Sequence, residues 1–185
     1  MDTELIWQHL DTPGWEHVRI TRDHPGWDVY DSIFVRTHGD QVLRGGYTLV
    51  TDKHWRTLEL RLMVETSPGA MEGLHLMTEG DGRWTDADER HIPELDGILD
   101  LEIQWTPLTA SLPINRISLE TGVEQHIPVA YISLPDMVIS STVQAFTRID
   151  EAHILHRSPV QQGAAELTMD ANGYVAEYPN RFIKS

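Results

Sequence analysis

The sequence predicts a mainly β protein: a barrel, roll or sandwich of about a dozen short strands. Val, Ile and Thr far outnumber Ala and Lys, and branched side chains fit a pleated sheet better than a helix. Several segments alternate apolar with polar residues, and short turn signals separate them. A chain of 185 residues without a low-complexity linker fits one domain, which we place over residues 1–185.

Three segments predict strands by alternation. Residues 55–65 place apolar side chains on one parity and polar side chains on the other. Residues 137–149 repeat the pattern, with Val143 on the apolar parity and Gln144 on the polar one. Residues 99–106 do the same, where Leu101, Ile103 and Trp105 oppose Asp100, Glu102, Gln104 and Thr106.

The strongest turn signal is the Asn-Gly pair at 172–173, because both residues tolerate the positive φ angles of a type I′ hairpin turn. We expect this turn to pair a strand ending near Met169 with one beginning at Tyr174. Helix signals are weak. Residues 3–10 offer one or two turns after a threonine N-cap, and an internal glycine weakens a helix over 158–166.

Composition and charge exclude several classes of protein. The formal net charge is −15, and lysine occurs only at positions 53 and 184, so neither a nucleic acid nor an anionic membrane surface is an expected partner. No cysteine is present, which excludes disulfide-stapled modules and thiolate sites. The first residues contain neither a basic region nor a long apolar segment, so we expect no signal peptide, no spanning helix and a cytoplasmic location.

Common catalytic motifs are absent: the sequence contains no G-x-S-x-G, no P-loop, no G-x-G-x-x-G and no H-E-x-x-H. Two weaker patterns contain residue types that bind metals, but the spacing of neither fits a metal site. His153 and His156 are three residues apart, which on a strand places them on opposite faces. The acidic loop 79–89 departs from the ligand order of calcium loops. We therefore expect neither a metal nor a cofactor.

Asp100 and Glu102 are the acids that we single out. On one strand face their carboxylates would lie about 7 Å apart. They are therefore either solvated outside the sheet or neutralised inside it by arginine. Arg61 and Arg116 lie in neighbouring polar registers and are the candidate partners, and Trp105 is the candidate ligand-contacting aromatic on the same segment.

The central motif of the chain is the run DGILDLEIQWTPLTASLPINRISL at 96–119. It resembles the signature of the putative glycolipid-binding family of bacterial proteins, formerly catalogued as a domain of unknown function. Further matches extend over nearly the whole chain, at Trp55-Arg56, Gly82-Arg-Trp84, Gln144-Ala-Phe146 and Gly173-Tyr-Val…Tyr178-Pro179.

The resemblance implies a fold similar to that of bacterial carriers of outer-membrane lipoproteins. That fold is a single-domain antiparallel β-roll, or incompletely closed barrel, around an apolar cavity. A related fold serves a cofactor-free enzyme of indole-pigment biosynthesis, so it is compatible with binding and with catalysis. Asp100, Thr106 and Arg116 match the family motif. This chain departs from it at Glu102 for a second aspartate, Ala110 for an asparagine and Asn115 for the first arginine.

Our leading hypothesis is a non-catalytic protein that binds an amphipathic small molecule or glycolipid. The candidate ligand-binding residues are Trp55, Arg61, Asp100, Glu102, Trp105, Thr106, Arg116, Gln144 and Tyr178. The alternative is a cofactor-free enzyme acting on a small amphipathic metabolite, with Asp100 and Glu102 as an acid-base pair and Arg116 holding an anionic group. A third hypothesis gives the motif a structural or partner-binding role. We expect a monomer or a homodimer.

Overall fold

The computed structural model describes residues 3–22, 24–67 and 69–185. Its regular elements are thirteen strands, one α-helix and a 3₁₀ turn at Pro93–Leu95. In chain order they are β1 (Thr3–His9), β2 (Gly14–Thr21), β3 (Trp27–His38), β4 (Gln41–Asp52), β5 (Thr57–Ser67), β6 (Ala70–Met77), β7 (Asp100–Ile103), α1 (Leu108–Arg116), β8 (Glu124–Ser133), β9 (Val138–Arg148), β10 (His153–Ser158), β11 (Gln161–Met169), β12 (Val175–Tyr178) and β13 (Phe182–Lys184).

All thirteen strands belong to one sheet whose edges are β6 and β7. Neighbouring strands pair antiparallel from β1 to β6 and from β8 to β13, and β13 returns to pair with β1. Among the described strands, only β7 and β8 are parallel. They are joined through α1, since parallel neighbours need a crossover connection. The thirteen strands form one sheet that is not closed into a barrel. This confirms the predicted mainly β, single-domain fold with an incompletely closed sheet.

The resemblance implied an apolar cavity, but residues 108–114 of helix α1 are all buried, so side chains of the helix fill the interior. Thr109 Oγ1 accepts a hydrogen bond of 3.1 Å from the backbone N–H of Ile103. Ser111 Oγ accepts one of 3.1 Å from the N–H of Val175. Two buried hydroxyls therefore anchor α1 to β7 and β12. Within the three described ranges, no helix combines the length and apolar character needed to cross a membrane.

The weak helix signal at residues 3–10 was wrong, because these residues contribute β1. Residues 158–166, where an internal glycine weakened a helix, belong mostly to β11. The α-helix of the described chain begins at Leu108, directly after the segment 99–106 for which alternation predicted a strand. Pro113 lies inside this helix, although proline lacks the N–H that the helix interior uses. Burial of the whole helix outweighs this weak local propensity.

The predicted pairing of the strands around residues 172–173 is confirmed, because Met169 of β11 lies opposite Val175 of β12. The type I′ turn is wrong. Gly173 has a φ of 83°, but Asn172 is not among the residues with positive φ. Asp170 Oδ1 instead accepts the N–H groups of Asn172 and Tyr174 at 2.8 and 2.9 Å, which closes the loop with a side chain.

Candidate functional site

A buried series of hydrogen bonds joins three of the candidate ligand-binding residues, Glu102, Gln144 and Tyr178, through His156. Gln144 Nε2 donates to Glu102, and Gln144 Oε1 lies 2.9 Å from His156 Nε2. His156 Nδ1 lies 3.2 Å from the hydroxyl of Tyr178. Each of the four side chains is more than nine-tenths buried. The series therefore connects β7, β9, β10 and β12 through the interior.

The hydrogen bonds of this series have one consistent direction. Burial and the charge of Arg181 lower the pKa of His156 to about 4, so its ring is neutral near pH 7. Because Gln144 donates to Glu102 through Nε2, its Oε1 must accept from the Nε2–H of His156. The bare Nδ1 of His156 then accepts from the Tyr178 hydroxyl. Each side chain therefore donates to the next one inward, from Tyr178 at one end to Glu102 at the other.

Tyr178 also borders an open cleft of about 520 Å³, with Gln104, Tyr131 and Arg181 on its walls. Arg181 Nη2 donates to the carbonyl oxygen of Gln104 at 2.8 Å, and its guanidinium carbon lies 4.9 Å from the ring centre of Tyr178. Burial raises the pKa of both Tyr131 and Tyr178 to about 12. Both phenols therefore keep their protons at neutral pH. The cleft presents aromatic rings, the guanidinium of Arg181 and the carboxyl groups of Asp11 and Glu166.

Asp100 and Arg116 do come together, as the sequence suggested, but as a buried ion pair. The guanidinium contacts both carboxylate oxygens, with Nη2 at 2.6 Å from Oδ2 and Nε at 3.1 Å from Oδ1. Burial raises the pKa of Asp100, and the charge and hydrogen bonds of Arg116 oppose this rise. Neither residue is among those that line the cleft beside Tyr178.

Two other predicted site residues lie elsewhere. Arg61 is on the outer face of β5, where 66% of its side chain is exposed and it pairs with Glu59 at 2.7 Å. Trp55 lies in the turn before β5, and its ring centre is 5.6 Å from that of Tyr174. The alternation of residues 55–65 placed Arg61 correctly on the polar face, but that face is the outside of the sheet.

Thr106 belongs to a second buried polar cluster, centred on Glu16. The hydroxyls of Ser32 and Tyr47 donate to Glu16 Oε1 at 2.8 and 2.7 Å, and Thr106 Oγ1 lies 3.1 Å from the Tyr47 hydroxyl. Burial raises the pKa of Glu16 to about 7 despite these hydrogen bonds. The cluster secures the segment after β7 against β2, β3 and β4.

Replacing Glu16 by glutamine should stabilise the protein at alkaline pH. The unfolded chain releases this proton near pH 4.5 and the folded chain near pH 7, so folding stability falls as the pH rises between these values. The glutamine variant should lose this fall and gain about 3 kcal/mol in the free energy of unfolding above neutral pH. Urea unfolding measured across this range tests it. The exposed Glu177→Gln exchange is the control, and equal profiles for both variants would contradict the assignment.

Four residues of the cleft and of the buried hydrogen bonds behind it were not among the candidates: Gln104, Tyr131, His156 and Arg181. His156 was noticed only beside His153, and the two do point to opposite sides, one buried and one partly exposed. No spacing in the sequence brings Arg181 to Gln104, which lies 77 positions away. Asn115, which replaces a family arginine, donates to the carbonyl oxygens of Ser111 and Gly173 at 2.7 and 2.6 Å.

A family profile described as "Putative glycolipid-binding" matches residues 4–184. The chain belongs to this family. The match confirms the resemblance seen in the central motif and covers nearly the whole sequence. Membership in the glycolipid-binding family concerns fold and ancestry.

The chain is also similar to a crystal structure of a DUF1089 family protein from Pseudomonas aeruginosa. The two share 30% sequence identity at a TM-score of 0.78, over 90% of this chain and 89% of the other. No curated protein matches the chain. These comparisons support the glycolipid-binding family and its fold, and they bring no measured activity with them.

Proposed function

We propose that this protein binds the polar head of an amphipathic, glycolipid-like molecule in the cleft beside Tyr178, without converting it chemically. The observation that carries the proposal is the buried series of hydrogen bonds behind the cleft. It runs from Tyr178 through His156 and Gln144 to Glu102, and it holds the Tyr178 ring in one orientation. A preorganised wall loses little conformational freedom on binding.

The groups that line the cleft suit a head group rich in hydroxyls. Tyr131 and Tyr178 supply aromatic surface, and Tyr131 adds a protonated hydroxyl, whereas the Tyr178 hydroxyl donates to His156. Aromatic rings with a polar tip suit ligands that are partly apolar and partly wet. Arg181 adds N–H donors, and Gln104 adds an amide. Such a mixture of a few fixed polar groups on a concave surface is the usual form of a small-molecule site.

Catalysis has less support from the same geometry. Asp100 is engaged by Arg116 through both carboxylate oxygens, and Glu102 accepts a hydrogen bond from the amide of Gln144. An acid-base pair needs both groups within reach of one substrate. The enzyme hypothesis would therefore require both of these contacts to break. The expected cytoplasmic location and the monomeric or dimeric state stay predictions of the sequence.

The proposal is tested with n-octyl-β-D-glucoside, a sugar head on a short alkyl chain, kept below its micelle-forming concentration. Calorimetric titration should show saturable binding. The substitutions Tyr131→Phe and Arg181→Gln should each weaken it about tenfold, the worth of one lost hydrogen bond in a partly buried site.

The matched control is Arg61→Gln, which removes a cation from the outer face and should leave the affinity unchanged. Thermal unfolding of each variant identifies any general loss of structure. Absence of saturable binding to the wild-type chain, or equal affinity in all three variants, would refute the proposed site.

A further inference from the structure

A second recess lies beneath the turn between β1 and β2, where two buried basic side chains meet. His9, Gly14 and Arg36 are opposite one another on β1, β2 and β3. A Cβ atom added to Gly14 would lie 2.7 Å from Arg36 Cβ and 2.9 Å from His9 Nδ1. The absence of a side chain at Gly14 therefore lets His9 and Arg36 approach each other. Their exposed fractions are only 2% and 5%.

Most of the nitrogen atoms of this pair have no hydrogen-bond partner among the described residues. These atoms are both ring nitrogens of His9 and the Nε and Nη1 of Arg36. Trp105 lies against the guanidinium, with 4.9 Å from its ring centre to Arg36 Cζ. Such stacking covers a face of the guanidinium, whereas its N–H bonds point outward in its plane. Since buried donors are almost always paired, these atoms indicate a missing acceptor.

The charges around the recess indicate that the missing acceptor is negatively charged. Burial and the charges of Arg36 and Arg181 lower the pKa of His9 to about 4, so its neutral ring offers one N–H. Arg36 carries the positive charge and donates through Nη2 to Asp11 Oδ2 at 3.0 Å. The Asp11 side chain is 35% exposed. The carboxylate of a partly exposed turn residue thus already occupies one donor of the guanidinium.

The geometry points to an oxyanion site: a carboxylate or phosphate oxygen of an acidic ligand accepts from Arg36 and His9, and the Asp11 carboxylate moves aside to admit it. A cavity of about 420 Å³ is lined by His9, Asp11 and Gly14. Arg36 is not among its lining residues, so a ligand in this cavity meets the guanidinium only once Asp11 has moved. Asp11 also lines the head-group cleft, so the two recesses are neighbours. The anion is held by Arg36 and His9, which do not line that cleft, and the site does not depend on the proposed function. It also assigns a role to Trp105, which supports the guanidinium that grips the anion.

The test is a titration of the full-length protein with sodium phosphate and, separately, with sodium acetate at constant ionic strength. Proton–nitrogen correlation spectra follow the His9 ring and the Arg36 Nε–H. We expect saturable shifts of both groups with at least one anion, and the stronger response distinguishes a phosphate from a carboxylate ligand. Asp11→Asn should raise the affinity about tenfold, because it removes the competing carboxylate.

Two comparisons keep the result decisive. Asp40→Asn makes the same change of charge on an exposed turn, and an equal gain there would attribute the effect to net charge and overturn the site. Arg36→Gln should abolish anion binding while leaving the octyl glucoside affinity at the other cleft unchanged. Shifts that do not saturate in either the wild-type chain or Asp11→Asn would also overturn it, and they would leave the head-group proposal standing.

Discussion

Replacing Arg116 by methionine should lower the free energy of unfolding by about 3–5 kcal/mol, the usual cost of leaving a buried charge without its partner. The Asp100 side chain is 1% exposed, and its carboxylate oxygens both lie within hydrogen-bond distance of the Arg116 guanidinium. Methionine retains most of the apolar stem, so the loss reports the charge. Urea unfolding near pH 7 measures it.

The matched control is Arg61→Met on the exposed face of β5, where an ion pair contributes about 0–1 kcal/mol. A second substitution, Asp100→Asn in the Arg116→Met background, removes the unpaired charge and should restore part of the stability. A loss no larger than that of the control, or no recovery in the double variant, would show that the pair is not an important stabilising contact.

The double variant also separates the structural role of Arg116 from the anion-holding role that the enzyme hypothesis gives it. If Arg116 only neutralises Asp100, the folded double variant should bind octyl glucoside and phosphate as the wild-type chain does. Loss of either affinity at a temperature where both proteins are folded would place Arg116 at a ligand.

Acid should destabilise the protein well above the pH at which its surface carboxylates titrate. His9 and His156 take up protons near pH 6.5 in the unfolded chain but only near pH 4 in the folded one. The unfolded state therefore binds more protons in this window, and stability is lost as the pH falls through it. By the lower end of the window each histidine accounts for about 3 kcal/mol. Glu16 offsets part of this loss, because its raised pKa has the opposite effect.

The substitution His156→Asn should flatten this acid profile by about 3 kcal/mol between neutral pH and the lower limit. The control is His153→Asn, three positions earlier on the same strand, at a histidine whose pKa is raised by its hydrogen bond to Asp150. Removing His153 should not flatten the profile. Identical flattening in both variants would contradict a buried neutral His156.

Local sequence patterns were sufficient to predict the fold class and to identify several candidate residues. Period-two alternation and turn residues predict a mainly β chain because side-chain direction in a strand depends only on neighbours in sequence. The central motif predicted the family. The sequence alone indicates Glu102 through the central motif, and Gln144 and Tyr178 through two further short matches to the family.

Alternation cannot say which face of a strand is inside. In β9 the polar parity faces the interior: Gln144 is 1% exposed and Val143 is 53% exposed. The interior accepts Gln144 because Glu102 and His156 satisfy its amide, and a polar group that is fully hydrogen-bonded can be buried at low cost. Arg61 shows the converse, since its polar face is the solvated one.

The strand pattern and the family therefore follow from residues close together in the sequence, whereas both candidate sites depend on strand order. Tyr178 reaches His156 because β12, β11 and β10 are consecutive in the sheet, and Arg36 meets His9 across Gly14 because β1, β2 and β3 are in register. Helix α1 is stabilised because its buried side chains fill the interior, which must be closely packed. Local helix propensity does not contain this information. Long-range strand pairing, not composition, decides which polar groups are buried next to one another. Their burial removes water from them, and this desolvation shifts their pKa values and leaves donors available for a ligand.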